Sequence, residues 1–168
     1  MYHLNQQTTR ASTEVVAGMT LINGFESYVL IDTGDTHSFI TPRFMNRLQI
    51  PVNRLNEGLI ICTPLEEGII VDDVYRGCRV NVRGCELGVY LISLEIQDFD
   101  VILGMDWLSI YLANVNCHTK MVCLRMLDGK EVEFKGEKNG VCEGLVATLT
   151  TRKLVRKGCE VYLTYVRD

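Results

Sequence analysis

"YVLIDTGDTHSFITPRF", residues 28–44, sets three apolar residues directly against an acid and then breaks into Thr, Gly and small polar residues. Val29, Leu30 and Ile31 place Asp32 at the end of a buried strand, and Gly34 permits a tight turn close to a second stretch of chain. An isolated Asp-Thr-Gly carries little information, since all three are ordinary turn residues. The weight comes from context. "VILG", residues 101–104, repeats the order of apolar residues followed by glycine ahead of another helix-like stretch.

Outward from this stretch, the bulk properties bound the answer. The chain has 168 residues, 47% hydrophobic and 23% charged. That length supports one main domain, which buries roughly two thirds of its unfolded surface. A net charge of −4 and a pI near 5.4 give no electrostatic footprint for nucleic acid, which requires clustered Lys and Arg. Arg152, Lys153, Arg156 and Lys157 read as a solvated helix face. Seven cysteines at irregular spacing, with no secretory leader and no Asn-x-Ser/Thr acceptor, point to free thiols in a reducing compartment. No apolar run approaches the roughly 20 residues of a transmembrane helix, so a soluble protein without a membrane partner is expected. No metal or other cofactor is expected either: Cys-x-x-Cys is missing, and Cys117, His118 and Cys123 lie on a segment that alternates like a strand.

Residues 1–13 are polar and aperiodic and read as a disordered leader. From Val15 onward, short apolar runs separated by Gly, Asn, Asp and Pro read as many short strands. Val15–Ile22 and Phe25–Ile31 flank Asn23-Gly24, a hairpin dipeptide. Thr41 followed by Pro42 reads as a helix cap with a first-turn proline, giving a short helix over "PRFMNRL". Further strands are predicted at 59–63, 69–76, 78–83 and 86–96, with the Pro and Gly of "TPLEEG", residues 63–68, marking a hairpin tip that stands away from the core. Trp107, Leu108, Tyr111 and Leu112 recur at helical spacing and read as core packing. Two more strands are predicted within 115–135, joined at Asp128-Gly129. A helix-like run ending at Gly158 and a β-prone close complete the chain.

The combination of "VLIDTGDTHSFITPRF", "TPLEEGIIVDDVYRGCRVNVRG" and "FDVILGMDWLSIY", joined by "KEVEFKGE", resembles the retropepsins, the aspartic proteases of retroviruses and LTR retrotransposons. The resemblance is nearest to the gypsy-type retrotransposon proteases of plants and runs from about Val15 to the end. "RKLVRKGCEVYLTYV" is similar to the connector toward reverse transcriptase in such polyproteins. The resemblance implies a mostly β fold: an acid-protease half-lobe with a closed β-sheet core, a flap hairpin and one or two short helices, active as a twofold homodimer. The domain would span residues 14–136, and residues 137–168 would form the connector.

Aspartic proteases hydrolyse peptide bonds with two carboxylates sharing one water, one ionised to take a proton and the other protonated to give one. This chain offers one suitable acid. Asp128 also precedes a glycine, but no buried strand leads into it. A second copy must then supply the second carboxylate across a twofold axis. The resemblance makes Asp32, Thr33 and Gly34 the catalytic loop, with Asp32 in the dyad and Thr33 bonding across the axis. It places the flap around Pro64–Gly68, makes Leu65 and Ile102 pocket walls, and sets Asp35, Thr36 and Pro64 beside the substrate. One departure is Asp35, where the family usually has Ala; an extra ionised carboxylate near the dyad would shift its working pH or weaken it, unless the side chain points into solvent or bonds to backbone donors. The implied substrate is an extended segment of a Gag-Pol polyprotein, cut in a cytoplasmic virus-like particle. The competing expectations are a retropepsin-like dimerisation or peptide-binding module that no longer cleaves, and a cellular protease like the ubiquitin-shuttle proteins that carry a retropepsin domain.

Overall fold

Asn23 and Gly24 take φ values of 49° and 85°, the left-handed pair that a two-residue hairpin demands. They join β1 (Val15–Ile22) to β2 (Phe25–Asp32), in register from Val15 opposite Asp32 to Ile22 opposite Phe25. Arg83 and Gly84 repeat that geometry, with φ of 48° and 81°, between β5 (Glu66–Val82) and β6 (Cys85–Ser93). The computed structural model describes residues 15–63 and 66–137. The expected leader, the hairpin tip at Pro64 and Leu65, and all of the expected connector except Glu137 lie outside them.

The remaining elements are β3 (Phe39–Ile40), α1 (Pro42–Leu48), β4 (Asn53–Thr63), β7 (Val101–Leu103), α2 (Met105–Ile110), β8 (Asn114–Asn116), β9 (Met121–Arg125) and β10 (Glu131–Lys135). The order β1-β2-β7-β3-β6-β5 closes on itself where Leu21 and Ile22 pair with Asn81 and Val80. The result is a six-stranded barrel, with β4 attached outside β5. β2–β7 and β3–β6 are parallel pairs, the others in the ring antiparallel. α1 forms where Thr41 Oγ1 accepts the Phe44 N–H at 3.3 Å and Pro42 presets the first turn; it ends at Gln49 in the left-handed region.

Period-two alternation divides the apolar residues into two layers. Val29, Ile31, Val101, Leu103, Val80, Leu87, Val89 and Leu91 fill the barrel interior together with Phe44 and Trp107. The other face of the same strands carries Ala17, Leu30, Ile102, Phe39, Ile92 and Val74, buried in a second cluster. β5 serves both layers because of a bulge. Tyr75 and Cys78 on β5 pair with Leu91 and Val89 on β6, so one extra residue is inserted at Gly77, whose φ is 88°. The bulge inverts the alternation, so Val74 joins the outer layer while Cys78 and Val80 face inward. The two strands expected at 69–76 and 78–83 are therefore one strand. Gly77 reads in sequence as a break, but in the fold it is a kink that the ladder survives.

Other boundaries also moved. β4 begins at Asn53, and β6 stops at Ser93. In the last hairpin five residues, 126–130, join β9 to β10, with Gly129 at φ 82° after an Asp128 that is not left-handed. A short β8 precedes the two expected strands, and β8, β9 and β10 form a separate three-stranded sheet. That sheet turns Val122, Leu124, Val132 and Phe134 into the barrel core. α2 is shorter than the helical spacing implied: Tyr111 stays on Trp107, ring centroids 5.3 Å apart, but Leu112 takes φ 44° and is 68% exposed. Cys117 and His118 occupy the turn before β9 rather than a strand. Among the described residues no cluster of His, Cys, Asp and Glu could hold a metal, and no helix is long and apolar enough to cross a membrane.

Burial of Cys78 in the barrel, 1% exposed, pushes its thiol up to about 11, because the thiolate cannot be solvated there. The folded state therefore holds this proton more tightly than the unfolded chain. That stabilisation is complete below the ordinary thiol range and is lost as pH rises toward 11. Native protein at pH 8 should leave Cys78 unmodified by iodoacetamide while the half-buried Cys85 and Cys123 react, and denaturant should release it, as read by peptide mass spectrometry. The alkaline fall in stability should be shallower in Cys78→Val.

Candidate active site

Asp32 ends β2 on its outer face, the face that carries Leu30 one alternation earlier. Leu30 stands beside Ile102 in the parallel β2–β7 register, and Phe39 pairs with Ile102 from the other side. An apolar floor of Leu30, Ile102 and Phe39 thus extends along the sheet from the half-buried carboxylate. Ile102 is 9% exposed and packs in the outer-layer cluster. The strand stops at Asp32 because the chain turns there: the Gly34 N–H donates to Asp32 Oδ1 at 2.8 Å, and the Asp35 N–H reaches the Asp32 carbonyl at 3.4 Å.

The loop that follows is fastened to the start of α2. Met105 N–H donates to the Asp35 carbonyl at 2.8 Å, and Asp106 N–H to the Thr36 carbonyl at 3.2 Å. Ser38, fully buried, donates its hydroxyl to Asp106 Oδ1 at 2.6 Å and accepts the Gly104 N–H at 3.0 Å. Its own N–H donates to Asp106 Oδ2 at 3.2 Å. Gly104 makes this approach possible. A Cβ there would lie 2.3 Å from the His37 carbonyl oxygen and 2.8 Å from that of Asp35. Its φ of −101° suits any residue, so space and not backbone conformation requires glycine. This explains the glycine in the second "apolar-apolar-Gly" stretch: β7 ends beside β2, and the two turns press together.

Of the residues singled out in sequence, the fold gathers Asp32, Thr33, Gly34, Asp35, Thr36 and Ile102 around the ends of β2 and β7. Thr33 and Asp35 are half-buried, while Gly34 and Thr36 are exposed. Thr36 Oγ1 lies 2.9 Å from His37 Nδ1. Pro64 and Leu65 lie outside the described residues. The hairpin carrying them is anchored by Val71 and Leu59, which pack on the outer layer, and beyond that anchor Ile60 and Ile70 form an exposed cross-strand pair. Ser38, Gly104 and Asp106 hold the loop in place, yet sequence reasoning gave none of them a role in it. Serine and aspartate at such positions pass for turn and cap residues; "VILG" was the only hint.

What this arrangement offers chemically is a carboxylate at the rim of an apolar floor, on a loop held at several points. A family profile described as retroviral aspartyl protease matches residues 1–130. Among solved structures, the retroviral protease-like domain of Ddi1 from Leishmania major superposes with a TM-score of 0.58 at 19% identity, over 75% of this chain and 98% of that one. The EIAV protease in complex with the inhibitor HBY-793 superposes with a TM-score of 0.48 at 22% identity, over 68% and 99%. No curated protein matches the chain.

Gly104→Ala should be among the most damaging single-methyl changes in the molecule. The obstructing atoms are backbone and cannot swing away, so a loss of about 3 kcal/mol is expected, read as a lowered denaturation midpoint.

Proposed function

We propose, for a chain that belongs to the retroviral aspartyl protease family, that it is an aspartic endopeptidase assembled from two copies, each contributing Asp32. The observation that carries this reading is the placement of Asp32: it ends a buried strand, takes a hydrogen bond from the Gly34 N–H, and borders an apolar floor. Among the described residues no other acid has this setting. Asp128 sits in an exposed loop, where its carboxylate accepts the Lys130 N–H, and Asp106 is committed to Ser38.

A twofold axis beside Asp32 would set two carboxylates face to face. Two such groups a few ångströms apart do not both ionise at one pH, so the pair shares a proton. The ionised member takes a proton from the bound water as its oxygen attacks the scissile carbonyl carbon. The protonated member gives its proton to the carbonyl oxygen, forming a gem-diol. Collapse of that intermediate breaks the C–N bond: the proton taken from water goes to the leaving nitrogen, and a gem-diol hydroxyl returns a proton to the carboxylate that had given one, leaving the carboxylic acid product and restoring the singly protonated pair. Thr33 would bond across the axis. Asp35 and Thr36 would face the substrate backbone, and Leu30 and Ile102 would receive apolar side chains.

The substrate in this reading is a peptide in extended form, covered by the β4–β5 hairpin with Pro64 and Leu65 at its tip. The Gag-Pol polyprotein of a retrotransposon, cut within a cytoplasmic particle, is the physiological target we put forward. It is supported by the likeness of "RKLVRKGCEVYLTYV", residues 152–166, to a connector preceding reverse transcriptase.

Incubation with a Gag-derived peptide at mildly acidic pH should give cleavage that a pepstatin-like inhibitor blocks and that Asp32→Asn lowers by at least about 10²-fold. Cleavage that survives that substitution or ignores the inhibitor would overturn the assignment. Sedimentation across a concentration series should show a monomer–dimer equilibrium, with specific activity following the dimer.

A further inference from the structure

We infer that Ser38 and Asp106 are positioning residues for the cleavage reaction, a clamp that fixes the loop bearing Asp32 through its link to the start of α2; the inference rests on the peptidase reading above. Neither residue adjoins Asp32 in the chain. Ser38 follows it by six positions, and Asp106 lies on another element, 68 residues beyond Ser38.

The donors and acceptors in this clamp match without remainder. Ser38 has one hydroxyl proton, and the 2.6 Å contact commits it to Asp106 Oδ1. The hydroxyl oxygen is then free to accept from Gly104 N–H at 3.0 Å. Asp106 collects two further donors, Ser38 N–H on Oδ2 and Trp107 N–H on Oδ1, the latter at 2.7 Å. Three donors converge on one side chain with no acceptor opposite, which suits a carboxylate and not an amide. With asparagine, an Nδ2 at the Oδ2 position would face the Ser38 N–H, donor against donor. An Nδ2 at the Oδ1 position would face the Trp107 N–H and reverse the Ser38 hydroxyl. Either orientation leaves a donor unmatched in a half-buried site.

The clamp acts on the loop geometry in a definite direction. The two main-chain bonds from Met105 and Asp106 to the Asp35 and Thr36 carbonyls keep their length only while the first turn of α2 is held against Ser38. Release of Ser38 from Asp106 frees the loop on the far side of those bonds, and the Gly34 N–H that orients the Asp32 carboxylate moves with it. A catalytic carboxylate held to within a fraction of an ångström has far more to lose from such slack than substrate binding over an extended face does.

The experiment compares Asp106→Asn and Ser38→Ala with wild type and with Thr119→Ala, an exposed residue in the turn before β9 and outside the clamp, at concentrations where sedimentation shows full dimer. Both clamp variants should keep their circular dichroism and dimer fraction, lose roughly 10- to 100-fold in kcat, and hold KM within about twofold; Thr119→Ala should change neither. Wild-type kcat in the two clamp variants, or a loss that vanishes once the dimer fraction is matched, would overturn the proposal. If the wild-type protein cleaves no peptide, the peptidase reading falls by itself and amide hydrogen exchange decides the clamp. Asp106→Asn should then speed exchange at Gly34, Ser38, Gly104 and Met105 by more than about tenfold while the β1–β2 hairpin stays protected. Unchanged exchange there would overturn it.

Discussion

At Gly104 two stretches of backbone approach to a distance that no side chain permits: a single methyl there would meet carbonyl oxygens at 2.3 and 2.8 Å. The end of β7 can lie against the turn after Asp32 only because this position is bare. The parallel β2–β7 pairing brings Ile31 level with Leu103, so both strands end together and both turns must share one small space. The hydrogen bonds from α2 to the Asp35 and Thr36 carbonyls, that from the Gly104 N–H to Ser38, and that from Ser38 to Asp106 form within that space. The site is thus a product of chain closure, since no local segment could build it.

The barrel supplies the other half of the constraint. Its interior is filled by one face of each strand, and the opposite face carries a second apolar layer capped by the lower part of the β4–β5 hairpin. A strand wet on its outer face would place Asp32 on a polar surface beside ordinary solvent. The outer layer instead gives the carboxylate an apolar neighbourhood on one side and leaves it accessible on the other. The Gly77 bulge lets one strand contribute to both layers, because the inversion it introduces turns β5 from barrel wall into hairpin arm.

The legible parts of the sequence were those where one or two adjacent residues decide a local conformation. Asn23-Gly24 fixed a hairpin because few residues accept left-handed φ in succession, and Thr41-Pro42 fixed the start of α1 because capping and a preset φ act within four residues. Asp32 at the end of Val29-Leu30-Ile31 was legible for the same reason. Gly77 misled, since a glycine inside a strand run can mark an end or a bulge and only the partner strand distinguishes them. Leu112 misled because helical spacing continued past the end of α2 to the residue at which the backbone turns left-handed. The Ser38–Asp106 pair could not be read at all. Its meaning lies in a register between β2, β7 and β3 that brings distant positions together, and each residue has a plainer local use.

In the two-copy enzyme proposed above, the stiffness of this loop would matter twice. In a single-chain bilobal protease, two separately evolved loops could compensate for one another's slack. In the proposed dimer each carboxylate would sit on a copy of the same loop, so any displacement would be reproduced across the axis and the gap between the two acids would change by up to twice the shift in either. The reacting water would have to bridge that gap. Backbone contact at Gly104, charge-assisted bonds at Asp106 and a buried Ser38 all act against motion in the residues from Asp32 to Ser38. Such symmetry would concentrate the demand for rigidity on a short segment, and that segment closes on the fully buried Ser38 with its bonds to Gly104 and Asp106.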